Sequence, residues 1–302
     1  MKVERMKKRI QKGISKLAFF AVGFAIGMVL AGQVNAQKGP TSLLWKIEGK
    51  GLAKPSYLYG TIHLICPDDF FMTDATTKAL DNVEQVVMEL DMDDPQIMIK
   101  MQQMSVSPNG ENISSELSDE EAKLVNEFFK TNYGVDLSQL GMVKPFALLS
   151  MVLMKSINCD QPASYETSFV QEAAKRELEV SGLETVAFQV GLFDDIPRKD
   201  QVSWLVETIS EKEDTLEEFN RMVAAYKKQD LHALFEIILQ NDQFTAYADP
   251  LLYQRNKDWI GKIEALVKDK PTFIAVGAGH LGSKKGVVSL LRKEGYKVSP
   301  VK

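Results

Sequence analysis

Short apolar runs lie near both ends of the chain, while the middle repeats apolar residues at helical spacing. Apolar runs of four to eight residues, bounded by glycine, proline or charged residues, are typical of β-strands. This pattern predicts six strands, over residues 43–48, 55–59, 85–90, 179–183, 272–276 and 296–301. Residues 49–51 read Gly-Lys-Gly, which predicts that the first two strands form a hairpin.

The central periodicity predicts a series of helices. Ser118, followed by three acidic residues, is typical of an N-cap and an acidic first helical turn. Residues 144–158 are almost entirely apolar but too few to span a membrane, which predicts a core helix. Further helices are predicted over residues 165–178, 203–210, 215–228, 231–239, 250–268 and 283–293, with loops at 108–112 and 194–200.

Strands at both ends of the chain with helices between them indicate an α/β (α+β) fold. The N- and C-terminal strands are expected to share one central sheet, with the helices as a large insertion between them. No linker rich in proline, glycine or serine divides the chain beyond residue 37, and no internal repeat is visible. We therefore predict a single domain over residues 37–302.

The first 36 residues have the features of a targeting segment. Seven basic side chains precede an uncharged apolar run over residues 17–32, and Val34-Asn35-Ala36 follows as a cleavage site. We predict a signal peptide over residues 1–36 and an exported protein, periplasmic or secreted. The alternative is an uncleaved N-terminal membrane anchor, because the apolar run is only slightly shorter than the roughly 20 residues that span a bilayer.

The formal charge of −5 averages two unlike parts of the chain. Residues 1–36 hold seven basic side chains and one acid, and without them the formal charge is −11. That acidity, without any basic stripe, argues against nucleic acid as a partner.

Cys66 and Cys159 are the only cysteines. An oxidising compartment permits a disulfide between them, but free buried thiols fit the sequence equally well.

Two of the three histidines follow a predicted strand in the same pattern. Gly60 precedes His63, and Gly277 precedes His280, each by three residues. Glycine lets the chain turn sharply or approach a ligand closely, and open α/β sheets bind ligands beyond the carboxyl ends of their strands. Although one such histidine is usually structural, the duplicated setting favours a pair of metal ligands. His232 lies in an amphipathic helix without a polar cluster and is interpreted as structural or exposed.

Charged residues occur near the ends of other strands and in one helix. Glu89 interrupts an apolar run, where an unpaired carboxylate would be costly to bury. Glu184 follows the fourth strand at a turn into a helix. Arg255 shares the apolar stripe of its helix and needs an anionic partner, such as Glu89, Glu184 or a bound carboxylate. Asn256 is adjacent and can add a hydrogen bond.

Taken in order, these segments resemble the TraB/GumN family, whose animal relatives are the Tiki proteases. The resemblance extends from about residue 43 to 301. It is carried by residues 57–64 (YLYGTIHL), 86–91 (VVMELD), 181–185 (SGLET) with Gln189, the pair Arg255-Asn256, and residues 276–281 (VGAGHL). Tiki-like proteins are metal-dependent peptidases built around two G-x-x-H motifs.

The resemblance implies a role for each matching residue. His63 and His280 become metal ligands, with Glu89 and Glu184 as further ligands or as general base. Arg255 is expected to act in catalysis, and Asn256 to contact the substrate or the metal ligands. Gly60 and Gly277, the glycines of the two motifs, are likewise expected beside the substrate or the metal ligands.

The implied function is a metal-dependent peptidase in which a metal-activated water attacks a bond in a peptide or protein substrate. Mixed histidine and carboxylate ligands suit Mn²⁺, Co²⁺, Fe²⁺ or Zn²⁺. Two alternatives remain open. One is a metal-independent hydrolase of esters that uses His63 or His280 as general base. The other is a periplasmic peptide-binding or regulatory protein that is not an enzyme.

Overall fold

All six predicted strands form, and they join one mixed sheet. A computed structural model describes residues 41–108, 110–157, 159 and 161–302, so the predicted signal peptide lies outside the described residues. The strands are β1 (Leu44–Glu48), β2 (Ser56–Thr61), β3 (Gln85–Met88), β4 (Glu179–Gly182), β5 (Thr272–Gly277) and β6 (Lys297–Val301). Their order across the sheet is β4-β3-β5-β2-β1-β6. The α/β (α+β) prediction, with terminal strands sharing one sheet, is confirmed.

The sheet combines an antiparallel edge with a parallel centre. β1 pairs antiparallel with both β2 and β6, while β2, β5, β3 and β4 run parallel to one another. The hairpin between β1 and β2 turns through three successive residues with positive φ, Gly49, Lys50 and Gly51, which explains the glycines on either side of the lysine. Because four strands are parallel, their carboxyl ends lie at one edge of the sheet.

Thirteen α-helices occupy most of the remaining described chain. They are α1 (Asp74–Leu80), α2 (Ile97–Met104), α3 (Asp119–Tyr133), α4 (Leu137–Leu140), α5 (Pro145–Ser156), α6 (Tyr165–Lys175), α7 (Val186–Asp194), α8 (Arg198–Ser210), α9 (Lys212–Lys227), α10 (Leu231–Gln240), α11 (Asp242–Ala246), α12 (Gln254–Asp269) and α13 (Val287–Lys293). Ser118 caps α3 in a complete capping box with Glu121, as its sequence indicates.

Two helix predictions need correction. The loop expected over residues 194–200 is shorter, because α8 begins at Arg198, with Pro197 as its N-cap. The helix predicted in the core, α5, is only half buried. It packs Leu148 and Val152 inward, whereas Leu153 and Met154 are 42% and 47% exposed.

The described residues build two main hydrophobic cores. The larger one covers the sheet, where all four residues of β3 are buried. The smaller one lies within the central helices and joins α3, α5 and α8 through side chains including Phe129, Leu148 and Leu205. The helical insertion is therefore stabilised in part by its own core, separate from the core that covers the sheet.

A disulfide joins the segment after β2 to the segment before α6. Cys66 and Cys159, whose pairing the sequence leaves open, are bonded with their Cα atoms 5.8 Å apart. Beside them, Ile65 and Ala163 exchange two backbone hydrogen bonds, of 3.0 and 2.8 Å. These links fix the two segments against each other.

Within the described part of the chain, we find no helix with the length and apolar character needed to cross a bilayer.

Candidate functional site

The parallel strands bring the predicted chemical residues to one edge of the sheet. Glu89 directly follows β3, and Glu184 lies two residues beyond β4. His63 and His280 lie two and three residues beyond the neighbouring strands β2 and β5. The carboxyl-terminal edge of an open sheet is where such folds bind ligands. The arrangement agrees with the location expected from sequence.

His280 is buried and oriented by the side chain of Asn256. Its Nδ1 lies 2.6 Å from Asn256 Oδ1, while Asn256 Nδ2 donates to the carbonyl of Lys285 at 3.0 Å. Because that second bond fixes the amide, we assign the imidazole proton to Nδ1, and Nε2 carries a lone pair. Burial lowers the pKa of His280 to about 3, so the ring is neutral near pH 7.

His63 is exposed and oriented by a carboxylate. Its side chain is 70% exposed, and Nδ1 lies 2.9 Å from Glu166 Oε1. A carboxylate only accepts hydrogen bonds, so Nδ1 carries a proton here as well. The negative charge of Glu166 raises the pKa of His63 to about 9. In both histidines, Nδ1 is therefore bound to a protein oxygen, and Nε2 is the nitrogen directed at the site.

Arg255 ties the two predicted glutamates together. Its Nη2 donates to Glu89 Oε2 at 2.5 Å and to Glu184 Oε2 at 2.8 Å. Its Nη1 donates to the carbonyl of Leu251 at 3.0 Å and lies 3.2 Å from His280 Nε2. The anionic partner that the sequence requires for Arg255 is thus a pair of carboxylates, with the buried guanidinium between them.

Glu89 keeps one oxygen directed at the histidines. Oε1 accepts a hydrogen bond from the backbone N–H of Gly277 at 2.8 Å and lies 3.7 Å from His280 Nε2. Burial opposes ionisation of Glu89, but the positive charges of His280, which is protonated below about pH 3, and of Arg255 outweigh that effect and lower the pKa of Glu89 to about 2. Glu89 is therefore a carboxylate throughout the physiological range.

Glu184 is occupied on both oxygens. Oε1 accepts from Trp259 Nε1 at 2.8 Å, and Oε2 accepts from Gln189 Nε2 at 3.0 Å, in addition to the bonds from Arg255. Gln189 also donates to Glu89 Oε2 at 3.1 Å. Glu184 thus shares a hydrogen-bond network with Glu89, although its oxygens face Arg255, Trp259 and Gln189 rather than the histidines.

The two motif glycines permit close approach. A Cβ on Gly60 would lie 3.1 Å from the Cα of Ala278, so the first motif packs directly on the turn that carries His280. A Cβ on Gly277 would lie 3.3 Å from Glu89 Oε1 and 3.9 Å from His63 Nε2. Gly277 therefore contributes only a bare Cα where Glu89 and His63 face each other.

The donor chemistry at this point suits a divalent cation. The groups that face one another beside Gly277 are two imidazole Nε2 atoms and one ionised carboxylate oxygen, the ligand types that Mn²⁺, Co²⁺, Fe²⁺ and Zn²⁺ accept. Nδ1 of each histidine is held by an oxygen, as is usual for metal-bound histidines. As placed, however, no three His, Cys, Asp or Glu side chains among the described residues stand close enough together to hold an ion.

Sequence reasoning missed two contributors to the site, Glu166 and Trp259. Glu166 contacts His63 but lies in the first turn of α6, two residues after the N-cap Ser164. Acidic residues are common there because they favour the helix dipole, so nothing in the sequence separates Glu166 from an ordinary helix start. Gln189 belongs to the motifs that carry the family resemblance, and the structure places it between Glu89 and Glu184.

Comparison with curated proteins finds relatives along most of the chain. It is 22% identical over 316 residues to a protein named Metalloprotease TIKI1 from Danio rerio, a match that covers 87% of this chain and 63% of the relative. Metalloprotease TIKI2 from Danio rerio is 23% identical over 324 residues, covering 87% and 61%, respectively. The match therefore spans less than two thirds of the length of these relatives. No solved structure matches the chain.

The family comparison covers the sheet and the site together. The profile of the TraB/PrgY/gumN family matches residues 43–300, which include all six strands apart from the last residue of β6. The same range contains both histidines, both glutamates and Arg255. The chain belongs to the TraB/PrgY/gumN family.

Proposed function

We propose that this protein is a metal-dependent peptidase whose ion binds beside Gly277. One observation carries the proposal: His63 and His280 each have Nδ1 bound to a protein oxygen, so that Nε2 is the nitrogen directed at the site, and the ionised Glu89 lies beside them. In the ion-free protein, His280 Nε2 also contacts Arg255 Nη1, a contact that an ion would replace. Its relatives named metalloproteases, 22–23% identical, support peptidase chemistry of this kind.

His63, His280 and Glu89 are the residues that hold the ion. Bound there, a divalent ion supplies a water of lowered pKa and a Lewis acid for a peptide carbonyl. Glu89, with its pKa lowered to about 2, suits a cation better than it suits a proton. Its role is therefore that of a ligand rather than a general base.

Arg255 is the residue that faces the developing negative charge of the substrate. Two of its nitrogens are held by Glu184, and Nη1 points to His280 Nε2. When an ion takes His280 Nε2, the Nη1–H that contacts this nitrogen is released and can donate a hydrogen bond to an oxyanion, while the other N–H groups hold the guanidinium in place. Glu184, Gln189 and Trp259 hold Arg255 and Glu89 in place.

Ion binding can be tested without any substrate. Metal-depleted protein is titrated with Mn²⁺, Co²⁺ or Zn²⁺ while its thermal unfolding is followed. An ion that binds only the folded state raises the free energy of unfolding by about 2.7 kcal/mol at 100 times its Kd. We expect a saturable rise in Tm for at least one ion, lost in both His63→Ala and His280→Ala.

His232→Ala is the matched control, because this third histidine lies in the first turn of α10 and takes part in none of the side-chain contacts of the site described above. It should retain the full shift in Tm. Both site variants should remain folded in circular dichroism and lose peptidase activity. If no ion shifts the Tm of the wild-type protein, or if His63→Ala and His280→Ala keep the shift, the metal-dependent function is wrong.

A second candidate function is a metal-free hydrolase of esters. The observation that favours it is the contact between the exposed His63 and Glu166, since a carboxylate behind an imidazole also orients a general base. Ester hydrolysis that survives thorough chelation and is lost in His63→Ala would support this candidate. Binding of peptides without cleavage would instead support a regulatory protein that is not an enzyme.

We place the protein outside the cytoplasm, after removal of residues 1–36. The disulfide between Cys66 and Cys159 supports an oxidising compartment. Intact mass measurement on protein from the periplasmic or secreted fraction tests the prediction. A chain that begins at Gln37 is expected. A full-length chain in the membrane fraction would support the anchor instead.

A further inference from the structure

Glu166 lies behind His63 and is held on both oxygens. Oε1 accepts hydrogen bonds from His63 Nδ1 at 2.9 Å and from Thr61 Oγ1 at 2.7 Å. Oε2 accepts from Ser164 Oγ at 3.0 Å. The Glu166 side chain is 13% exposed, whereas that of His63 is 70% exposed. The Glu166 carboxylate is thus held by several groups, and its contact with His63 restricts the orientation of the exposed imidazole.

The segment that carries Glu166 is fastened independently of His63. The backbone bridge between Ile65 and Ala163 and the disulfide join it to the chain that follows His63. Tyr165 is fully buried, and its hydroxyl donates to the carbonyl of Phe71 at 2.7 Å. Glu166 therefore keeps its place whether or not His63 contacts it.

The other histidine, His280, has an equivalent contact at Nδ1, but its partner is neutral. Asn256 fixes the proton of His280 at Nδ1, and His280 is further confined by the ring of Trp259, 4.4 Å away between ring centroids. His63 has no comparable enclosure, because most of its side chain faces solvent. Without Glu166, its ring could change rotamer and could carry its proton on either nitrogen.

We propose that Glu166 is a positioning residue that fixes His63 in the Nδ1–H form and directs Nε2 into the site. This inference rests on the proposed function in one respect, namely that the ion binds at Nε2. Glu166 acts through His63 and does not itself touch the substrate. Partners that orient a metal-bound histidine typically contribute 10–100-fold to metal affinity.

Three substitutions separate positioning from a structural role. Glu166→Ala removes the acceptor, while Glu166→Asp keeps an acid in the first turn of α6 but withdraws it from Nδ1. Glu166→Gln keeps an acceptor oxygen of the kind that Asn256 offers to His280. We expect the Ala and Asp variants to raise the Kd for Zn²⁺ or Mn²⁺ 10–100-fold, and the Gln variant to restore most of the affinity.

A second readout does not depend on the ion. In metal-free protein labelled with ¹⁵N-histidine, long-range ¹H–¹⁵N spectra at about pH 10, above the pKa of His63, report which ring nitrogen carries the proton. The wild type and Glu166→Gln should show His63 as Nδ1–H alone. Glu166→Ala and Glu166→Asp should show a mixture with Nε2–H, with circular dichroism confirming that each variant is folded.

Glu172→Gln is the matched control, since Glu172 lies on the same helix and pairs with Lys175 and Arg176 instead. It should change neither readout. The proposal is overturned if folded Glu166→Ala and Glu166→Asp keep the wild-type proton position and ion affinity. If the wild-type protein binds no ion, the proposed function fails, and the proton position alone decides the role of Glu166.

Discussion

The two histidines of the site have pKa values shifted in opposite directions, for reasons visible in their surroundings. His280 is buried beside Arg255, where a charged ring would be costly, and its partner Asn256 is neutral. His63 faces solvent and has the Glu166 carboxylate as partner, which favours the charged ring. The same pattern, G-x-x-H, therefore yields one neutral and one protonated imidazole in the metal-free protein.

The burial of neutral His280 should make folding sensitive to acid. The unfolded chain takes up a proton on this histidine below pH 6.5, whereas the folded protein does so only near pH 3. The unfolded state thus binds more protons in this range. The free energy of unfolding should fall as the pH falls, by up to about 1.4 kcal/mol per pH unit from this group.

Urea unfolding in chelator at pH 7, 6 and 5 measures this dependence. His280→Asn has no titrating ring, so its free energy of unfolding should fall less steeply than that of the wild type over the same interval. Equal slopes for the two proteins would contradict a neutral, buried His280.

Gly277 should be needed for ion binding although its backbone can accept a side chain. Its φ of −51° suits any residue, but a Cβ would lie 3.3 Å from Glu89 Oε1. Gly277→Ala should fold and lose the rise in Tm with divalent ions. Gly261→Ala, on α12 with nothing within 4 Å of its Cβ, should keep that rise and be more stable by about 0.5–1 kcal/mol. Retained binding in Gly277→Ala would argue against a site beside this residue.

At the level of elements, the sequence predicts the sheet better than the helices. The central parallel strands β3 and β5 are buried and largely apolar runs with clear boundaries, since a buried parallel strand must be apolar on both faces. The edge strand β4 is partly exposed and has a weaker signal in the sequence. Helix α7 was missed because both its faces are largely apolar, so no helical stripe stands out. Short α4 and α11 contain four and five residues, fewer than two helical turns, and leave little periodicity to recognise.

The candidate site was also predicted only in part from the sequence. Residues at strand ends were predictable, because parallel strands bring their carboxyl ends to one edge whatever the loops do. The contacts were not, because they depend on how helices pack against that edge. Glu166 reaches His63 across 103 positions of the chain, and Trp259 reaches Glu184 across 75. Neither pairing has a local signal in the sequence.

The disulfide should contribute strongly to stability. It joins cysteines 93 positions apart, and closing a loop of this length restricts the unfolded chain considerably. Cys66→Ser combined with Cys159→Ser should lower the free energy of unfolding by about 2–5 kcal/mol in urea titrations. Reducing the wild-type protein should produce the same loss. Unchanged stability on reduction would mean that the bond is absent from the folded protein.

For the whole molecule, the acidity of residues 37–302 gains a partial explanation. Of the acids behind the formal charge of −11, Glu89, Glu184 and Glu166 surround one arginine and two histidines at the sheet edge. An ion placed there meets carboxylates that offset the charge of Arg255. Most other ion pairs are exposed and contribute little to stability.

Peptide cleavage is the most direct test of the proposed activity. Metal-depleted protein is incubated with a mixed peptide library, with and without added Mn²⁺, Co²⁺ or Zn²⁺, and the products are identified by mass spectrometry. We predict new peptide termini with at least one ion, and none in chelator or with His63→Ala or His280→Ala. Undiminished cleavage in chelator, or no cleavage with any of the ions, would contradict a metal-dependent peptidase.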